Sequence, residues 1–203
     1  MNIVVIGATG KAGSRVTAEL LARGHSVTAI ARRLETLPAR ERLTPRAGDA
    51  RDPEQLAPLI AGHDAVVSAV RFVDVDGAAL IAAAKKAGVK RFLVVGGAGS
   101  LIAPDGRQLV DTGELPSFVQ PEASAGRAFL NLLRAEPELD WTFLSPSGQF
   151  APGKRTGKFR LGLDHLLVAA DGTSAISMED FAIALVDEIE EPRHRRQRFT
   201  VGY

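Results

Sequence analysis

Residues 2–13 run Asn2-Ile3-Val4-Val5-Ile6-Gly7-Ala8-Thr9-Gly10-Lys11-Ala12-Gly13, and no other stretch constrains the fold as tightly. A continuous apolar run ends at a glycine, and two more glycines follow at three-residue spacing. A helical stripe of Ala12, Val16 and Leu20 then begins. An unbroken apolar run suits a strand covered on both faces. Strand, glycine turn and helix, in that order, present backbone N–H groups and a helix N-terminus to an anionic pyrophosphate. One glycine makes the tight turn, one lets the backbone approach the phosphates, and one lets the helix pack against the strand. Such glycines carry little weight alone; their place between a buried-type strand and an amphipathic helix makes the pattern specific.

The rest of the chain repeats the alternation. Apolar or β-branched runs predict strands at His25–Ile30, Arg42–Arg46, Asp64–Ser68, Arg91–Val95, Asp140–Ser145 and Gln197–Gly202. Between them, Ala78–Ala87 reads as a helix stopped by Gly88. Glu122–Ala135 carries Ala125, Phe129, Leu132 and Leu133 on one stripe and is closed by Pro137. Ser177 with Asp180 three residues on resembles a capping box before Phe181, Leu185 and Ile189. Strand–helix units with short links predict a doubly wound parallel sheet of Rossmann type, a three-layer αβα sandwich. With 203 residues and no linker-like interval, we read residues 1–203 as a single domain.

Composition removes several classes of function. A formal net charge of +1 supplies no global field for nucleic acid, membrane or an acidic partner. The absence of cysteine removes disulfides, thiolate catalysis and cysteine-ligated metals, and it fits a cytoplasmic protein. No metal site is expected. The first apolar run is only a strand long and has no basic region before it, so neither signal peptide nor membrane span is expected. The basic run Arg193-His194-Arg195-Arg196-Gln197-Arg198 invites a nucleic-acid reading, but it lacks interleaved aromatics and follows Asp187, Glu188, Glu190 and Glu191. A solvated connection into the last strand is the better reading. His25, His63 and His165 have no partners at triad or ligand spacing.

Two intervals break the rhythm. Residues 97–121 hold Gly97, Gly99, Pro104, Gly106, Gly113, Pro116 and Pro121, and residues 148–162 behave similarly after the sixth strand. Loops this long are usually functional, and both leave from carboxyl ends of strands, where such sheets hold ligands. They are the expected walls of a substrate pocket.

The spacing Gly7-x-x-Gly10-x-x-Gly13 resembles the short-chain dehydrogenase/reductase superfamily, and Gly-Ala-Thr-Gly-x-x-Gly points to its atypical branch. Ser68-Ala69-Val70-Arg71, Val95-Gly96-Gly97-Ala98-Gly99-Ser100 and Leu144-Ser145-Pro146-Ser147-Gly148 look like that branch's cofactor-edge segments. The chain is similar, from residue 1 to its C-terminus, to compact NAD(P)H-binding proteins related to NmrA-like regulators, biliverdin/flavin reductases and NADH–flavin reductases. The resemblance implies that Gly7, Ala8, Thr9, Gly10, Lys11, Ala12 and Gly13 grip the cofactor. It implies that Asp49, with Ala50, meets the adenine, although a turn or N-cap role for Asp49 stays open. Ala69, Val70 and Arg71 would line the adenine–ribose side, Gly96 and Gly97 the nicotinamide end, and Ser145 with Pro146 would close that end. Simple strand-end turns are the alternative for each.

Two further points come from the chemistry. NAD-selective sites place an acid after the second strand for the ribose 2′-OH. Here Ala29-Ile30-Ala31-Arg32-Arg33 offers guanidinium groups, which pair with a phosphate through bidentate hydrogen bonds. Arg32 or Arg33 therefore points to NADP(H) rather than NAD(H), unless the two simply cap a helix start. Second, the Tyr-x-x-x-Lys pair of conventional members is missing: the one tyrosine is Tyr203, and Ser117-Phe118-Val119-Gln120 precedes the helix instead. Alcohol oxidation and sugar-nucleotide epimerisation by the usual route are disfavoured.

Hydride transfer to a flavin, quinone or tetrapyrrole-like conjugated ring needs no side-chain acid, only positioning. Ser100 is a candidate hydrogen-bond donor to such an acceptor, Phe118 and Phe150 candidate stacking partners, and Gln149 a candidate contact, each equally explicable as loop packing. The rival expectation is a non-catalytic NmrA-like sensor that binds NAD(P) and acts through a protein partner.

Overall fold

The computed structural model describes residues 1–35, 37 and 39–203. Ten strands and five α-helices follow one another as β1 (Asn2–Ile6), α1 (Lys11–Ala22), β2 (Ser26–Ala31), β3 (Leu43–Ala47), α2 (Pro53–Ile60), β4 (Ala65–Ser68), α3 (Gly77–Lys86) and β5 (Arg91–Val95). Then come α4 (Gln120–Arg134), β6 (Asp140–Pro146), β7 (Gln149–Ala151), β8 (Arg160–Gly162), β9 (Ala175–Ser177), α5 (Met178–Glu190) and β10 (Gln197–Gly202). Eight strands form one sheet in the order β3-β2-β1-β4-β5-β6-β10-β8, all neighbours parallel except β8 against β10. This is the expected doubly wound Rossmann-type sheet.

Strand alternation builds two cores. Ile3 and Val5 face α1 and α5 with Val16, Leu20, Phe181 and Leu185. Val4 and Ile6 face the other layer with Leu56, Leu80, Phe129 and Leu133 from α2, α3 and α4. Both faces of β1 are thus dry, which is why its sequence is apolar without alternation. Strand order reverses between β1 and β4, so the loops after β1 and β4 diverge at their carboxyl ends and open a crevice there.

Most elements fall within a residue or two of their sequence-based bounds. Three features do not. Helix α2 starts with Pro53 at its first position, capped by the Asp52 carboxylate, which accepts the N–H groups of Glu54 and Gln55 at 3.1 Å. The interval 148–162 is not one loop: β7 pairs with β9 in a small second sheet, and β8 joins the edge of the main one. Within 97–121, Leu109–Asp111 forms a 3-10 turn and Ile102 pairs with Gln108 and His165.

The basic run is exposed at Arg193, Arg195, Arg196 and Gln197, as expected of a solvated connection, but His194 is half-buried and Arg198 buried. Arg198 is buried in β10 with its Nε 2.9 Å from Asp164, and His194 stacks on Phe199 at 4.1 Å while meeting Glu188 at 2.8 Å. Arg193 and Arg195 pair with Glu191 and Asp140. Arg198 and His194 serve the fold, as does His25, whose Nε2 lies 2.8 Å from Glu190.

Candidate functional site

The first βα corner turns at Gly7, whose φ of +82° disfavours a side chain and whose N–H donates to the Ile30 carbonyl at 2.9 Å. Gly13 lies directly under that turn: a Cβ there would sit 2.2 Å from the Gly7 oxygen. Gly10 differs from both. Its φ of −69° and ψ of 165° suit any residue, and it holds the N-cap position of α1 without a side chain. Nothing in the first turn of α1 is acidic, and among the described residues the N–H groups of Lys11, Ala12 and Gly13 have no acceptor. Three free amides at the positive end of a 12-residue helix fit a dinucleotide's pyrophosphate.

On one side of this corner a cavity of about 230 Å³ runs over the ends of β2 and β3, with Thr9, Arg32, Asp49, Ala50, Arg51 and Val70 among its walls. Asp49 is not a free acid. Its carboxylate receives the Arg51 Nε at 3.0 Å, the Arg51 Nη2 at 2.5 Å and the Arg51 backbone N–H at 3.0 Å. Those bonds, side chain first and backbone next, hold the Asp49 carboxyl down at about 2, with Arg32 adding a smaller electrostatic pull.

On the other side a larger cavity of about 590 Å³ opens over the ends of β5 and β6, sharing Gly10, Ala69, Val70 and Arg71 with the first. Gly96 and Gly97 continue the rim from β5, while Leu115, Val119 and Ala123 close it above. Pro146, Phe150 and Met178 close it from the far side. Gly96 is required by close approach, because a Cβ would stand 2.4 Å from the Phe143 ring and 2.5 Å from the Leu144 oxygen. Glu122 is the one carboxylate in the wall, and it accepts the Phe72 and Val73 N–H groups at 2.9 and 3.2 Å. That fixes the loop leaving β4 and leaves no carboxylic acid poised to protonate a ligand. No tyrosine, histidine or cysteine lines the cavity among the described residues. The Tyr203 hydroxyl is committed elsewhere, donating to Asp180 at 2.8 Å.

Of the residues singled out by sequence, the corner glycines with Thr9, Lys11 and Ala12 gather with Arg32, Asp49, Ala50, Ala69, Val70, Arg71, Gly96, Gly97, Pro146 and Phe150 around these two cavities or directly beneath them. The others stand apart. Ala8 is packed into the α1 core and Arg33 is exposed outside both cavities. Ser145 is fully buried in β6, and its hydroxyl lacks a partner among the described residues. Ser100 is buried too, its Oγ 3.4 Å from Arg198 Nη1. Phe118 is 82% exposed, and Gln149 is exposed with its backbone engaged in the β7–β9 pair. Sequence reasoning missed Arg51, Glu122 and Met178 altogether. The wall residues Leu115 and Val119 fall in the interval 97–121 expected to border a pocket, and Ala123 follows them on α4.

Among the described residues no cluster of His, Cys, Asp or Glu is arranged to hold a metal ion, and no helix is long and apolar enough to cross a membrane. A family model described as NAD(P)H-binding matches residues 7–192. YwnB of Bacillus subtilis is 42% identical, over 99% of this chain and 98% of its own length. A solved structure from Bacteroides thetaiotaomicron, described as a candidate epimerase, is 43% identical with a TM-score of 0.95, covering 100% of this chain and 96% of that one. Another from Streptococcus pneumoniae, described as a candidate NADH-flavin reductase, is 34% identical with a TM-score of 0.85, covering 100% and 99%. The match covers both the glycine corner and the cavities that meet over it, and the chain belongs to the NAD(P)H-binding family of Rossmann-type proteins.

Proposed function

We propose that the protein is an NADP(H)-dependent reductase that passes a hydride to a flat conjugated acceptor, such as a flavin, quinone or linear tetrapyrrole, without a Tyr-x-x-x-Lys pair. One observation carries this reading: a cavity of about 590 Å³ with mostly apolar walls begins at the glycine corner and, among the described residues, is lined by no phenol, imidazole or thiol. The free amides of Lys11, Ala12 and Gly13 would hold the pyrophosphate, and Arg32 would face the 2′-phosphate. Gly96 and Pro146 would flank the nicotinamide, which supplies the hydride when bound in reduced form. Val119, Phe150 and Met178 exclude water and press a planar ring toward that end, so catalysis rests on positioning. A conjugated ring takes the electron pair into its π system and later a proton from water, so it needs no acid from the protein. A sugar epimerase does need one, and the absence of a phenol here speaks against that reading.

We place the enzyme in the cytoplasm, where reduced NADP(H) is available and a cysteine-free chain is at home. The test is NADPH consumption against a panel of flavins, quinones and tetrapyrroles, followed by nicotinamide absorbance. Acceptor-dependent turnover supports the reductase. A second reading, an NAD(P)-responsive sensor acting through a protein partner, draws on the exposure of Phe118 and Val73. Tight NADPH binding without turnover on any acceptor would favour it.

A further inference from the structure

The smaller cavity carries one arginine whose place the cofactor reading does not use. Arg51 lines it from the turn between β3 and α2, and Arg32 lines it directly after β2. The Asp49 carboxylate takes the Arg51 Nε and Nη2 and leaves the Nη1 edge without a partner among the described residues. Arg32 has no ion-pair partner among them either. Two guanidinium groups with spare donors therefore border a pocket with two acids in its wall, of which Asp49 is clamped by Arg51 and Asp74 stands 4.0 Å from Arg71.

We infer that Arg51 is a specificity-determining residue for the phosphate on the adenosine ribose, acting in two ways at once. Its free edge donates to the phosphate oxygens alongside Arg32. Its bound edge neutralises a carboxylate in the same cavity wall that would otherwise repel a 2′-phosphate. The acid that favours NAD stands after β2, where this chain has Arg32; a bare carboxylate after the neighbouring β3 would oppose a 2′-phosphate by charge, and one clamped by arginine opposes it less. The inference rests on the NADP(H) reading above and names the device that enforces it.

A bland role is also available, and it predicts something different. Asp49 closes an Asx-type turn ahead of α2, and an ion pair two residues apart on the surface contributes little to stability. Were that all, removing Arg51 would shift NADPH and NADH affinities together or not at all. Under the inference the two affinities separate.

The experiment measures dissociation constants of NADPH and NADH by calorimetry for the wild type, Arg51→Ala, Arg51→Lys, Asp49→Asn and the Asp49→Asn/Arg51→Ala double variant. Thermal melts serve as the check on folding. Arg51→Ala should weaken NADPH by at least about tenfold, the scale of one charge-assisted hydrogen bond, and leave NADH within about twofold. Arg51→Lys should fall between, keeping the charge and losing the fork. The double variant should regain part of the NADPH affinity lost in Arg51→Ala, because no bare carboxylate remains. Equal losses for the two cofactors, or no loss, would overturn the role of Arg51 while leaving an NADPH-preferring wild type intact. A wild type without preference would instead sink the NADP(H) reading itself.

Discussion

The two cavities that meet at Gly10 are made differently. The smaller takes its walls from the turns after β1, β2 and β3 and from residues 69–75 after β4, and it holds the charged side chains of Arg32, Asp49, Arg51, Arg71 and Asp74. The larger takes its walls from segments far apart in sequence, Ala69–Phe72, Gly96–Gly99, Leu115–Ala123, Pro146–Phe150 and Met178, and they are mostly apolar. A site that recognises phosphates can use main chain, and so it tolerates change only where a Cβ would intrude. A site that recognises a ring by its faces needs side-chain volume and can be assembled from any loops that reach. The first kind of site fixes what is held, and the second fixes what is done with it.

The sharpest way to break this contrast is at the residue both cavities share. Gly10 has an ordinary backbone conformation, and a Cβ there would stand 3.2 Å from the Gly7 oxygen, tight but not an overlap. Gly10→Val should therefore fold while filling the space over the free amides. NADPH affinity should fall about a hundredfold or more, about 2.8 kcal/mol, with the melting temperature lowered by only a few degrees, about 1 kcal/mol. Gly13→Ala, with its 2.2 Å overlap, should lose folding and binding together. A Gly10→Val protein that binds NADPH normally would remove the pyrophosphate from this corner.

The contrast also explains what the sequence reveals. The glycine corner, the parallel sheet and the arginine pair Arg32 and Arg33 are legible because each rests on local pattern: a required spacing, unbroken apolar runs, a charge at a strand end. Ser100 and Gln149 were plausible by position along the chain, yet register turns Ser100 toward Arg198 and Gln149 into the small sheet. Two prolines within eight residues masked α2, although Pro53 is a favourable first residue and only Pro58 is a breaker. The walls Leu115, Val119 and Met178 meet only through tertiary packing, so the sequence marks the interval 97–121 as a border of the pocket but not which of its residues face inward.

Next in size is an effect on the support of the larger cavity, at the start of α5. Asp180 is buried at the start of α5, its carboxylate receiving the Thr156 N–H at 2.7 Å, the Gly157 N–H at 2.9 Å and the Tyr203 hydroxyl at 2.8 Å. Ser177 caps the same helix, accepting the Asp180 N–H at 3.0 Å, but the return bond of a full capping box is absent because Asp180 faces the other way. Burial pushes the Asp180 carboxyl up, yet the bonds from Thr156, Gly157 and Tyr203 outweigh it and keep the group below its ordinary range. Stability from a carboxyl depressed in the fold is complete above its unfolded value, about 3.9, and is lost as pH falls through the folded value. Asp180→Asn should cost about 2 kcal/mol at neutral pH in chemical denaturation and should flatten the acid limb below about pH 4. Because Asp180 stands two residues after Met178, acceptor KM should rise while NADPH affinity holds. A parallel loss of NADPH would mean the cavities are not separable.

Two substitutions then set the cavities against each other directly. Arg32→Ala should weaken NADPH about tenfold and leave NADH and the acceptor KM unchanged, whereas Arg33→Ala, outside both cavities, should change none of them. Phe150 lines the larger cavity and packs on Phe181 with ring centroids 4.8 Å apart. Phe150→Leu keeps most of that packing and removes the flat face. Acceptor kcat/KM should drop about fivefold, the scale of a lost aromatic contact, with NADPH affinity unmoved. Reversed effects in this pair would exchange the roles of the two cavities.

The smallest expected effect is at Phe118, and its size is informative. The ring is 82% exposed and contributes little buried area, so Phe118→Ser should leave the melting temperature unchanged within about a degree. It stands next to Val119, which lines the larger cavity, but is not itself part of the wall. For a reductase working on small free acceptors, kcat and KM should therefore stay within about twofold. A sensor that presents this ring to a protein partner would show the opposite pattern: unaltered NADPH binding in the Phe118→Ser protein, and loss of the partner. Turnover measurements on this variant thus separate a cavity that performs chemistry from one that only registers its ligand, because only the second gives an exposed aromatic ring at its mouth anything to do.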